Sequence, residues 1–131
     1  MARWIKHVSP NTQVIGVSSA TADAMHASWK SGKVVERASA NTIADGIAVR
    51  TPVPEALTDM MGIVDDVLLV SEDSLKSAMK MVFDKAGLVT EPAGIAGIAA
   101  VLEHQTLRGK KLATVLCGSN LTAEQVEMWL R

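Results

Sequence analysis

Three short apolar runs alternate with stretches of helical periodicity, and this alternation limits the fold more than any other feature of the chain. The runs are residues 13–17 (QVIGV), 66–70 (DVLLV) and 111–116 (KLATVL). None shows the strict polar–apolar alternation of a half-exposed strand, so each reads as a strand covered on both faces, as in a parallel sheet. Parallel neighbours need long crossovers, and segments of ten or more helical residues separate the runs. The expected class is therefore α/β: a three-layer α/β/α arrangement around a short, mainly parallel sheet.

The helical segments carry their own punctuation. Residues 2–8 (ARWIKHV) read as a helix stopped by Ser9-Pro10-Asn11. Residues 21–31 form a second, with Ala22, Met25 and Trp29 on one stripe and Gly32 just past its end. Residues 33–53 are irregular, and residues 54–63 form a third helix. Ser71 is placed to cap a long helix running to about Lys85 and ending at Gly87, with Leu75, Met79 and Val82 as its apolar stripe. Glu91-Pro92 opens a helix of small residues, proline being harmless at a first helical position. Thr122 and Gln125 have the spacing of a capping box for a last helix, 123–130.

Composition excludes several classes. The chain has 131 residues, nearly half of them apolar, and a formal charge of −1. That is one domain or part of one, large enough to bury roughly two-thirds of its unfolded surface. No charge block suggests a nucleic-acid surface. No apolar run approaches the roughly 18 residues of a membrane helix. The first ten residues are too short and polar for a signal peptide. One cysteine, Cys117, excludes an internal disulfide framework and fits a reducing cytoplasm. His7, His26 and His104 show no ligand spacing and read as surface or edge residues.

In open parallel sheets, ligands bind beyond the carboxyl ends of the strands. Three loops qualify: Ser18-Ser19, Ser71-Glu72 and Cys117-Gly118-Ser119-Asn120. The last is the most specific, because small residues flanked by a thiol and an amide let the backbone approach a flat ligand. Taken singly, each element has a plain structural reading. Cys117 could be a buried strand-end residue, Glu91 and Glu72 first-turn helix acids, and Asp45-Gly46 an ordinary turn.

Three motifs together point further. "ATVLCGSNL" resembles the Ser/Cys-Gly-Gly-Asn segment of fold-type II pyridoxal-phosphate enzymes, especially threonine and serine dehydratases and serine racemase. "VTEPAGIAGIAAVL" is similar to their Glu-Pro helix start, and "NTIADGIAV" to their Thr-Ile-Ala-Asp-Gly loop. The likeness runs from about Ile5 to Asn120 in the family's order, and implies the second half of a tryptophan-synthase-β-like large domain over residues 1–131. It places Cys117 at the pyridine nitrogen of pyridoxal phosphate, where a neutral thiol suits β-elimination better than transamination. It also places Gly118 and Asn120 on the same wall, Glu91 near the ring edge, and Gly46, with Ala44 and Asp45, on the side of an amino-acid substrate.

The departures are as informative. The family's Schiff-base lysine sits in a Ser-x-Lys-x-Arg segment that has no counterpart here. Ser28-Trp29-Lys30 is the nearest string, in the helix after the first strand. The glycine loop that cradles the phosphate has none either. Ser18 and Ala24 stand where some relatives place acidic metal ligands, so no metal site is expected. Two functions follow as expectations. One is a truncated or split dehydratase, removing water and then ammonia from a hydroxy-amino acid, inactive without a complementing N-terminal chain. The other is a non-catalytic α/β domain that self-associates or binds a partner or small ligand. The expected partner is a further copy of the chain, as a homo-oligomer, or a complementing N-terminal chain.

Overall fold

The computed structural model describes all residues, Met1–Arg131. Its helices are α1 (Ala2–Val8), α2 (Ala24–Ser31), α3 (Pro54–Met60), α4 (Glu72–Ala86), α5 (Ala96–Glu103) and α6 (Ala123–Leu130). Its strands are β1 (Ile15–Ser19) and β2 (Asp66–Val70). They pair in parallel, Ile15 opposite Asp66 and Ser19 opposite Val70.

Both faces of this small sheet are covered. Side chains of a strand alternate between faces. Val70 joins Leu75, Ala78, Met79 and Val82 of α4, Ala96, Ala99 and Ala100 of α5, and Leu130 of α6 in the main core. Val67, on the opposite face, is also buried, and α2 packs against both strands with α3 beside it. The layers are thus α2–α3, the sheet, and α4–α5–α6.

Local chemistry sets the element ends. The Ser71 hydroxyl accepts the Ser74 N–H at the start of α4, satisfying one of the four donors a helix start leaves free. Glu103 at the end of α5 accepts from the Ser71 N–H (2.9 Å) and hydroxyl (3.2 Å), tying the two helices at this corner. Gly87 ends α4 at φ 68°, a left-handed conformation that costs glycine nothing. Thr122 and Gln125 form the full reciprocal capping box of α6.

Several expectations need correction. Residues 111–116 form no strand. They are exposed and lie along the start of α5, with no ladder partner. Strand character requires a neighbouring backbone, and none lies beside them. Ser18 and Ser19 belong to β1 rather than to the loop beyond it. The stripe expected on α2 holds only in part: Ala22, just before the helix, is buried, but within it Ala24 and Ser28 are buried while Met25 and Trp29 are only partly so. Ser28 tolerates burial because its hydroxyl donates to the Ala24 carbonyl (2.7 Å) and accepts the Val35 N–H (2.8 Å). The segment after Glu91 begins as a single 3-10 turn, Ala93–Ile95, before α5.

Two histidines finish the sheet. His26 Nδ1 lies 2.7 Å from the Val67 carbonyl and His104 Nε2 lies 2.7 Å from that of Leu69. Residues two apart present their carbonyls to the same edge of a strand, so imidazoles cover one edge of β2. No helix is long and apolar enough to cross a membrane.

Candidate functional site

The three motif segments, far apart in sequence, meet in one place. The Glu91 N–H donates to the Gly118 carbonyl (2.9 Å). Gly118 has φ 70°, and a Cβ on it would collide with the Glu91 carboxyl group. A Cβ on Gly94 would likewise strike the Cys117 carbonyl, and one on Gly97 the Thr114 hydroxyl. The small residues of the Glu-Pro-Ala-Gly segment therefore let 114–118 lie directly on the start of α5. On the other side, a Cβ on Gly46 would sit 3.0 Å from the Ala93 Cβ. The Thr42–Gly46 loop thus abuts the same turn.

A hollow of about 220 Å³ opens along Leu88-Val89-Thr90 and Leu116-Cys117-Gly118-Ser119. Complete ligand pockets are usually about 300 Å³ or more, so this hollow suits one face or edge of a ligand. Leu88, Val89 and Leu116 give it apolar walls and the Cys117 thiol is exposed. Thr90 is buried, and its hydroxyl has no hydrogen-bond partner within the chain. A buried hydroxyl left unsatisfied is costly and invites a ligand atom. A thiol, a free hydroxyl and apolar walls fit the edge of a pyridine ring such as that of pyridoxal phosphate. No Lys or Arg lines the hollow, so these residues fit the ring and not its phosphate.

Asn120 is exposed and does not line the hollow. Gly46 is exposed at the edge of the motif cluster, and Asp45 accepts the Gly46 N–H (2.8 Å) within its own turn. Ser18 and Ala24 are both buried, and no three His, Cys, Asp or Glu side chains come together to hold a metal. A larger open depression lies on α3, lined by Pro54, Glu55, Thr58 and Asp59, with no motif residue in it.

Two residues do more than the sequence reading assigned to them. Thr90 is one; only its place beside Glu91 could have flagged it. Glu72 is the other. It follows β2 directly and reads as a helix-start acid, yet its carboxylate accepts from Ser19 (2.8 Å), Thr21 (2.9 Å) and Thr42 (2.6 Å) hydroxyls and the Ile43 N–H (2.8 Å). Partial burial pushes its carboxyl up, but the Ile43 N–H and the three hydroxyls outweigh this and hold it below the ordinary glutamate value.

Known proteins match this architecture. The family described as "Pyridoxal-phosphate dependent enzyme" matches residues 1–118. An L-threonine ammonia-lyase from Thermotoga maritima is 33% identical over 123 residues, spanning 94% of this chain and 31% of that protein. The crystal structure of a threonine deaminase from T.th. superposes with a TM-score of 0.87 at 33% identity, over 92% of this chain and 44% of that one. The structure of maize serine racemase does so with a TM-score of 0.84 at 26% identity, over 94% and 39%. The chain spans about a third of the length of the curated relative and under half of either solved structure. On the match over residues 1–118 and the convergence of its three motifs, the chain belongs to the fold-type II pyridoxal-phosphate dependent enzymes.

Proposed function

We propose that this chain forms one wall of the cofactor site of an ammonia-lyase acting on threonine, serine or a related hydroxy-amino acid. The Schiff-base lysine and phosphate-cradling loop come from a segment beyond these residues, in the same or another polypeptide. The packing of the Gly46, Glu91 and Cys117-Gly118 segments against one another, beside a hollow that Cys117 and Gly118 line, carries this reading. Bound pyridoxal phosphate would supply the electron sink for loss of water and ammonia. Cys117 would face the ring nitrogen as a neutral partner, Thr90 would offer its free hydroxyl nearby, and Leu88, Val89 and Leu116 would exclude water.

The surface area supports the need for a complement. A closed monomer of 13.9 kDa exposes about 6,700 Å², whereas this chain exposes 7983 Å². The excess exceeds the ~800 Å² that one partner buries in a standard interface. Leu88, Val89, Leu112, Val115 and Leu116 are all exposed around the unpaired segment, and a complementing segment would pair its backbone and cover them.

The test is reconstitution. The chain alone, mixed with pyridoxal phosphate and threonine or serine, is expected to leave the cofactor spectrum unchanged and release no 2-oxo acid. Added to a fragment carrying the lysine and glycine loop, it is expected to produce both signals. Cofactor capture by the chain alone would remove the need for a complement. A loaded complex that releases no 2-oxo acid from either substrate would remove the lyase reading. The same bare segment favours a second reading, a self-associating domain without catalysis, which light scattering showing a clean monomer would end.

A further inference from the structure

We infer that Glu72 is the positioning residue of this site: its carboxylate fixes the Thr42–Gly46 loop against the Glu91–Gly94 turn, next to the motif cluster, on the side that an amino-acid substrate would meet. The inference rests on the lyase reading for its substrate clause and on geometry for the rest.

The hydrogen bonds show what holds the loop. Within Thr42–Ile47, the Ala44 N–H donates to the Thr42 hydroxyl, the Gly46 N–H to Asp45, and the Ile47 N–H to the Ala44 carbonyl. All of these stay inside the segment. The bonds that reach a distant part of the chain run from the Thr42 hydroxyl and the Ile43 N–H, and both end on Glu72. The other two bonds to this carboxylate come from Ser19 at the end of β1 and Thr21 just beyond it. Glu72 therefore links the sheet, through Ser19 and Thr21, to the loop, through Thr42 and Ile43.

This is more than a helix-start acid does. A carboxylate that serves its own helix faces the free N–H groups of the first turn. Every hydrogen bond of this carboxylate instead goes to residues before β2 in sequence. One oxygen collects three hydroxyls and the other collects a backbone N–H. An acceptor-only group with two oxygens satisfies that set. A glutamine would turn an amide donor toward either the hydroxyls or the Ile43 N–H. The loop's other anchor is apolar: Ala44 is fully buried, with Ile43 and Ile47 packed on the core. Apolar contact keeps the loop near the sheet without fixing its register against Ala93, whose Cβ would meet a Gly46 Cβ at 3.0 Å. Directional bonds to Glu72 supply that register.

The experiment compares the whole chain with Glu72→Gln and Glu72→Ala by amide hydrogen exchange. It needs neither cofactor nor activity. In both variants, exchange at Ile43, Ala44 and Gly46 is expected to quicken by about tenfold or more, the loss of a charge-assisted hydrogen bond. Exchange at Leu75 and Met79 is expected to quicken by about fivefold at most, the part that reports overall stability. Loop exchange within about twofold of the parent overturns the inference, because a bond of this class should change it more. Equal acceleration throughout the chain overturns it too, since Glu72 would then support the fold as a whole. In the reconstituted complex, Glu72→Gln is expected to raise KM with kcat preserved, and a loss confined to kcat contradicts the substrate-side role. If reconstitution itself fails, the lyase reading falls and the exchange result still decides the role of Glu72.

Discussion

Residues 66–70 and 111–116 have nearly the same apolar character, and only one of them is a strand. Asp66–Val70 lies beside Ile15–Ser19, is covered by α2 on one face and by α4 and α5 on the other, and buries Val67 and Val70. Residues 111–116 lie on one side of α5, and every one is exposed. Sequence supplies the propensity for a strand, but a strand also needs a paired neighbour, and 111–116 have none. One region is closed on itself; the other is an open surface.

Substitutions can sharpen that contrast. Leu75→Ala, which empties a fully buried site in the closed region, is expected to cost about 2–5 kcal/mol by urea denaturation. Gly94→Ala drives a Cβ into the Cys117 carbonyl and is expected to cost about 1–3 kcal/mol. Its effect should appear as lost docking of 114–118, read from faster alkylation of Cys117. If Gly94→Ala changes neither stability nor alkylation, the segment does not rest on α5.

Acid probes the closed region by another route. Glu72 and Glu103 both lie below the ordinary value of 4.5, each raised by partial burial and lowered more by its N–H and hydroxyl donors. Their contribution is therefore fully present above pH 4.5 and is lost as pH falls through their folded values. About 1 kcal/mol for each, allowing for solvent screening, should disappear between neutral pH and about pH 3. Glu72→Gln with Glu103→Gln should flatten that slope. Thr122→Ala is expected to cost about 1 kcal/mol by removing one half of the capping box. Val115→Ala, at an exposed position, should stay within about 0.5 kcal/mol in the isolated chain. It should matter only once a complement covers it, and a large effect in the isolated chain would erase the contrast between the two regions.

The two regions also differ in how far they could be read from sequence. Periodicity, Ser71, Gly87 and the Thr122–Gln125 pair located α4 and α6, because caps and apolar stripes are local signals. The absence of a strand at 111–116 was not legible, because pairing depends on which chain lies alongside. In the site, the motifs marked Cys117, Gly118, Glu91 and Gly46 through resemblance, and the structure brings their segments together without bringing Asn120 to the hollow. Glu72 was hidden for another reason. Its four donors come from Ser19, Thr21, Thr42 and Ile43, and only the βαβ crossover puts those residues next to one another.

The imidazoles of His26 and His104 give the sheet a direction of growth. With the Val67 and Leu69 carbonyls already engaged, a strand arriving at that edge of β2 finds its acceptors taken. No side chain is bonded to the backbone of Ile15, Gly16 or Val17. The β1 border therefore offers a further strand the less occupied backbone. The fold closes one border of its sheet with two rings and leaves the other border free.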